Sequence, residues 1–160
     1  MSRPLERFLR RLELRSQLSP AEKAALLAID AELVVRQARW DLVRPGEKVD
    51  YACLVSSGIV GRSETFADGR RQTSAIFIAG DMADLQSVAV PVAAWAITAL
   101  TDAEVYQVPH ASLRAVGEEF PRVAEAFWRD TVADGSALSK WVAVLSRHPA
   151  RKRLAHLLCE

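Results

Sequence analysis

Cysteine is scarce in this chain: 160 residues carry only Cys53 and Cys159. They lie far apart, which excludes the dense spacing of a disulfide-stapled secreted scaffold and makes a reducing cytoplasm the expected setting. Two thiols also fall short of the four that an iron–sulfur cluster takes. Histidine is limited to His110, His148 and His156, all outside the strand-like part of the chain. A jelly-roll metalloenzyme needs two or three histidines and a carboxylate converging inside its barrel, so that class is set aside. His148 and His156 would stand about 12 Å apart along a helix, too far to share an ion. His156 with Cys159 offers two ligands, a weak site. No metal and no cofactor is expected.

Other absences narrow the function further. No apolar run approaches the roughly 18 residues of a spanning helix, and the first 18 residues are too charged for a signal peptide. Charge of one sign is lacking as well: 21 Lys and Arg against 20 Asp and Glu leave a net charge of +1, so no overall field steers the chain to nucleic acid or membrane. The basic residues do gather at the ends, Arg3, Arg7, Arg10, Arg11 and Arg15 near the start, and Arg147, Arg151, Lys152 and Arg153 near the finish. No serine sits in a nucleophile elbow and no glycine loop cradles a phosphate. The neighbouring Glu118 and Glu119 suit a helix cap or a solvated face. The chain reads as a non-enzyme.

What is present is a sizeable apolar fraction, 50%, enough for one core. Leu5, Phe8, Leu9 and Leu12 recur at helical spacing between arginines and predict a short amphipathic helix. Ser19, Pro20, Ala21 and Glu22 form a capping-box start for a second. From Glu32 to about Pro109 the pattern turns to short alternating segments. They are punctuated by Arg44–Glu47, Ser57 and Gly58, Asp68 and Gly69, and Ala79–Asp81. Seven or eight short strands in a small antiparallel jelly roll are expected. Helical spacing returns with Ala111–Gly117, then with a long helix from Pro121 to about Arg147.

In that helix Phe127, Thr131, Leu138, Val142 and Leu145 approximate one apolar seam, flanked by Trp128, Val132, Gly135 and Trp141. About 39 Å of helix is more than one small roll can cover, so the seam predicts a homodimer. Pro149 breaks the pattern and a new helix starts at Ala150. Its stripe of Leu154, Leu157 and Leu158 reaches Glu160 without a stop signal, which reads as the opening of a further domain.

The ordered set Leu54, Ser57, Gly58; Asp68, Gly69, Arg70; Gly80, Asp81; Ala99, Leu100, Thr101; Glu104, Val105 resembles the cyclic-nucleotide-binding roll of Crp/Fnr transcription regulators. The long helix resembles that family's dimerisation helix, and Arg153–Leu158 its entry into the DNA-binding domain. The resemblance implies a mainly β fold with helices, an antiparallel double-stranded β-helix (jelly roll) preceded by short N-terminal helices. It divides the chain into a sensor at 1–120, a dimerisation helix at 121–147 and the start of a DNA-binding domain at 148–160. It further implies a homodimer that reaches DNA through a helix-turn-helix domain not contained here, with RNA polymerase as a further partner and no membrane. The alternative is a regulatory module of the same fold that controls a kinase or a channel.

Against that family pattern, the positions that would hold the nucleotide carry Asp84 and Leu85, then Ala93 and Ala94. The resemblance therefore predicts no response to cyclic AMP: the phosphate-binding arginine and ribose-binding glutamate are missing, and Asp84 repels an anion. Arg70 or Arg71, on a neighbouring strand, is the candidate replacement cation, although a hairpin arginine is usually solvated. The candidate effector pocket is Met82, Asp84, Leu85, Gln86, Ala93, Ala94 and Trp95, with Leu138 and Ser139 facing it from the long helix; its small effector is not identified. Haem, bound by some relatives through cysteine or histidine, has Cys53 alone in the strands, a residue that reads as core.

Overall fold

The computed structural model describes residues 4–147 and 149–159. His148 and Glu160 lie outside the described residues, as do Arg3 and the side chains of Leu145, Ser146, His156, Leu157 and Cys159. Helix α1 (Glu6–Glu13) forms where the leucine spacing places it, and Leu5, Phe8, Leu9 and Leu12 are all buried. Helix α2 (Pro20–Leu27) starts on the anticipated capping box. The Glu22 N–H donates to Ser19 Oγ at 3.4 Å and the Ser19 N–H to Glu22 Oε2 at 2.6 Å. Two orphan donors are thereby satisfied.

Seven strands follow: β1 (Glu32–Arg36), β2 (Asp41–Val43), β3 (Tyr51–Ser57), β4 (Val60–Thr65), β5 (Arg71–Phe77), β6 (Ala96–Ala99) and β7 (Ala103–Pro109). They pair antiparallel in two sheets, ordered β1–β7–β3 and β2–β6–β4–β5. This is the double-stranded roll expected from the sequence. Strand β3 divides the interior by its two-residue period. Cys53 and Val55 join Val60, Ile97 and Val105 between the sheets, whereas Ala52 and Leu54 join Phe8 and Leu113 under the helices. The turn glycines Gly46, Gly58, Gly69 and Gly80 all adopt positive φ. Gly58 is the tightest, since a Cβ there would come within 2.3 Å of the Asp102 carbonyl.

After the roll come α3 (His110–Glu119), α4 (Pro121–Arg147) and α5 (Ala150–Cys159). Helix α3 is longer than Ala111–Gly117 at both ends. Ion pairs fix α4 on the roll and on α1. Arg11 bridges Asp81 at 2.6 Å and Asp130 at 2.7 Å, and Arg122 meets Glu22 at 2.9 Å. From β4, the guanidinium of Arg62, its side chain 4% exposed, takes both oxygens of Asp134 at 3.1–3.3 Å. It also lies 4.8 Å from the centre of the Trp95 ring and 5.6 Å from that of Phe77.

These contacts set the rotation of α4 and shift the predicted seam. Phe127 is buried in the chain's own core, stacked on Phe8 at 6.1 Å between centroids. Leu138 faces β5 and Thr131 is half-buried, its hydroxyl bonded to the Phe127 carbonyl at 3.0 Å. Of the anticipated seam, Val142 is exposed, and the Leu145 side chain is outside the described residues. The outward stripe is instead Trp128, Val132, Gly135, Ser139 and Val142, spaced four, three, four, three as in a heptad. A slip of one residue turns a helix by about 100°, and the sequence pattern alone did not separate these two neighbouring faces.

Arg62→Ala is expected to cost about 3 kcal/mol or more in urea unfolding, because Asp134 and the ring pair lose a buried charge partner. The double variant Arg62→Met, Asp134→Leu should recover most of that loss, since apolar groups of similar volume replace a buried pair at little cost.

Candidate functional site

Between β5 and β6 the chain passes Met82, Asp84 and a single 3₁₀ turn, Leu85–Val88. The Asp84 side chain makes no cap bond to that turn. It points inward and accepts the Cys53 N–H at 2.6 Å through Oδ1, while Oδ2 is buried without a hydrogen-bond partner. Asp84 is 3% exposed. Burial raises its pKa to about 6, against the pull toward the charged form of the Cys53 N–H, of its own backbone N–H and of the Ser87 hydroxyl. Beside it, Ser87 Oγ lies 2.8 Å from His110 Nε2. His110 is 1% exposed, and burial followed by the charge of Arg114 lowers its pKa. The imidazole is thus held neutral.

Asp84, Gln86 and Ser87 form the polar edge of a cavity of about 190 Å³. Val43, Val49, Ile97 and the Trp95 ring wall it, and Val90, Val92, Ala93 and Ala94 complete the rim. Five of the candidate residues therefore meet here: Asp84, Gln86, Ala93, Ala94 and Trp95. The other four do not. Met82 bridges to Leu54 on the helix-facing side of β3 and packs in the helical core, as does Leu85. Leu138 lines a separate groove of about 620 Å³ between β5 and α4, with Phe77 and Trp141. Ser139 is exposed, its hydroxyl bonded to the Gly135 carbonyl at 2.9 Å. Helix α4 packs beside β5, with Asp134 reaching Arg62 of β4, and none of its described residues lines the cavity.

No Lys, Arg or His among the described residues lines this cavity. Arg71 is committed elsewhere: it grips Asp41 through two nitrogens, at 2.9 and 3.1 Å, and reaches Thr98 Oγ1 at 3.1 Å. Arg70 is exposed at a hairpin beside Asp68. Neither replaces a phosphate-binding arginine. Arg62 lies against the Trp95 ring and is held there by Asp134. Nothing in the sequence marked this strand arginine, since its partner lies 72 positions away. Likewise, no local pattern signalled the Ser87–His110 pair or the contact of Asp84 with the β3 backbone. Among the described residues no cluster of three metal-ligating side chains forms, and no helix is long and apolar enough to cross a membrane.

Asp84 also gives a testable pH signature. Its folded pKa of about 6 lies above the ordinary 3.8, so the folded state binds more protons and stability falls as pH rises from about 4 to about 6, then levels off. Roughly 2 pKa units correspond to about 3 kcal/mol. Asp84→Asn keeps an acceptor for the Cys53 N–H and removes that loss, so the variant should gain about 1–3 kcal/mol at pH 7.5 relative to pH 4.5. The lowered His110 pKa acts in the opposite sense, its stability being lost as pH falls below about 6.5. The difference between wild type and Asp84→Asn in urea titrations at each pH isolates the carboxyl.

Residues 37–120, just over half the chain, match the family described as "Cyclic nucleotide-binding domain". A curated relative, the transcriptional activator protein FnrL of Cereibacter sphaeroides, is 27% identical over 125 residues, 76% of this chain and 48% of its own. The chain thus spans about half the length of that relative. Among solved structures, FixK2 from Bradyrhizobium japonicum is 26% identical with a TM-score of 0.75, over 82% of this chain and 65% of its own. The N-terminal domain of a transcriptional regulator from Streptomyces coelicolor A3(2) is 26% identical with a TM-score of 0.61, over 79% of this chain and 88% of its own. With the roll, its cavity and the long helix in place, the chain belongs to the cyclic nucleotide-binding domain family and is a sensor domain of the Crp/Fnr regulator type.

Proposed function

We propose that this chain is the effector-sensing and dimerising part of a DNA-binding transcription regulator that does not respond to cyclic AMP. The observation that carries the reading is the cavity of the roll, whose described lining presents a buried carboxyl and no cation. A cyclic phosphate entering there would be an unpaired buried anion beside Asp84, at a cost of several kcal/mol. The likeness to FnrL and FixK2 supports the regulatory role. Each is similar to this chain over most of the chain's length.

In this reading two copies pair through the outward stripe of α4. Trp128 is 72%, Val132 67% and Val142 61% exposed on the single chain. Gly135 leaves open space above its backbone, so two helices can approach closely at that level. DNA is contacted through a separate reading domain whose orientation follows the packing of the paired helices. An effector acts by favouring one packing over another.

Calorimetric titration with cyclic AMP and cyclic GMP should show dissociation constants no tighter than about millimolar. A low-micromolar constant for either would overturn the reading.

Light scattering should find a dimer at micromolar concentration. Val132→Asp is expected to weaken it roughly a hundredfold, since each copy loses a buried apolar contact worth about 1.5 kcal/mol and gains a charge. A wild-type monomer, or a dimer indifferent to Val132→Asp, would sink the proposed pairing.

A further inference from the structure

The turn between β1 and β2 is pinned by three hydrogen bonds. The Arg39 N–H donates to the Ala99 carbonyl at 2.7 Å, the Ala99 N–H to the Trp40 carbonyl at 2.9 Å and the Ala38 N–H to Asp102 Oδ1 at 2.8 Å. Within it Arg39 adopts φ +71°, alone among the described non-glycine residues, a conformation that is strained for any residue with a Cβ. Glycine serves the other positive-φ turns, so here a large cation stands where glycine would be the easier choice. The next residue, Trp40, is 56% exposed. It lines a surface cleft of about 490 Å³ together with Leu42, Pro45 and two more arginines, Arg36 and Arg44.

The charges around this cleft are unequally committed. Asp41 is gripped by Arg71 through two nitrogens and receives the Thr98 hydroxyl at 2.7 Å. Glu47 closes its own turn by accepting the Arg44 N–H at 3.0 Å. The arginines are freer. Among the described residues Arg36, Arg39 and Arg44 form no ion pair. Arg36 donates to the Val35 carbonyl at 3.0 Å, and Arg44 acts on Asp41 at longer range, where Arg71 already holds that carboxylate. Exposed tryptophan and arginine are the side chains concentrated at the energetic centres of protein interfaces.

We propose that this cleft docks an acidic segment of another protein, its carboxylates meeting Arg36 and Arg44 within the field of Arg39 and one apolar side chain lying on Trp40 and Pro45. The planar fork of a guanidinium matches a carboxylate, and a charge-assisted hydrogen bond is roughly twice as strong as a neutral one. Nucleic acid is disfavoured, because its backbone carries a charge at every nucleotide and Asp41 and Glu47 stand among the arginines. The cleft shares no residue with the roll cavity or with the outward stripe of α4, so the inference goes beyond the sensor reading and does not depend on it.

The test is fluorescence anisotropy on the 160-residue chain at neutral pH and low salt. The probes are labelled decapeptides in which one Phe is flanked by Glu, by Gln or by Lys, and a short single-stranded oligothymidylate. The Glu peptide is expected to bind at least about tenfold more tightly than the Gln peptide, and the Lys peptide to show no binding. Arg44→Gln and Trp40→Ala should each weaken the Glu peptide about fivefold or more. Arg70→Gln, which removes an exposed arginine of the β4–β5 hairpin, should leave it unchanged. Arg39→Gly separates binding from folding: relief of the strained φ should hold or raise the thermal midpoint while the peptide weakens about twofold or more. Four results would each overturn the proposal. They are a Gln peptide as tight as the Glu peptide, an affinity indifferent to Arg39→Gly, Arg44→Gln and Trp40→Ala, a loss from Arg70→Gln equal to that from Arg44→Gln, and an oligothymidylate that binds more tightly than the Glu peptide. Silence from every peptide would do the same. Since no cyclic nucleotide enters the experiment, its failure leaves the sensor reading untouched.

Discussion

The buried guanidinium of Arg62 constrains much of the rest of the molecule. An arginine placed on a strand facing the interior of a roll has lost most of its hydration, and so requires a counter-charge and a polarisable surround. Asp134 supplies the first, and the rings of Phe77 and Trp95 supply the second. Asp134 sits near the middle of a 27-residue helix. Once it is turned toward Arg62, the rotation of the whole helix is fixed. Phe127 and Leu138 then face the roll, and Trp128, Val132 and Val142 face away. One electrostatic requirement inside the sandwich thus selects the surface that the helix offers outside it.

Further charged contacts hold the helical shell together at its other end. Arg11 reaches both the turn after β5 and Asp130, so α1 is tied to the roll and to α4 by the same side chain. Glu22 caps its own helix and receives Arg122. Between these ion pairs lies the apolar contact of Phe8 with Phe127. Asp130 shows the cost of this arrangement. Burial raises its pKa in spite of the opposing pull of Arg11, while the charges of Asp81 and Asp130 raise that of Arg11 against its own burial.

Beyond Trp95 stands another buried charge, Asp84, at the edge of a cavity whose described lining holds no cation. The two groups are opposite in sign: Arg62 is paired with a carboxylate, whereas Asp84 is held by a backbone N–H, and each keeps one buried atom, Nε of Arg62 and Oδ2 of Asp84, without a hydrogen-bond partner. The roll that surrounds them has the architecture of a cyclic nucleotide-binding domain, and the described lining of its cavity carries a carboxyl and no cation. The architecture rests on the alternation of apolar strand positions, and the chemistry of the cavity on a few side chains, several of them on the connection between β5 and β6.

Local patterns by themselves determined the secondary structure and the order of the turns. The leucine spacing of α1, the Ser19–Glu22 cap, the four turn glycines and the proline at the head of α4 each act within a few residues, so they are legible without knowing the fold. The candidate cavity was half legible. Asp84, Gln86, Ala93, Ala94 and Trp95 line one cavity, while Met82 and Leu85 belong to the opposite side of the same short segment. Met82, next to Asp81, bridges Leu54, a contact with β3 that sets which side chains of the segment turn inward and that no neighbouring residue announces. The tertiary structure alone decided the face of α4 and the state of the buried charges. Arg62 and Asp134 are 72 positions apart, and Asp84 and Cys53 are 31. Neither a helical period, which tolerates a one-residue slip between two apolar faces, nor the charge of a residue read in isolation carries the low dielectric that makes those partners compulsory.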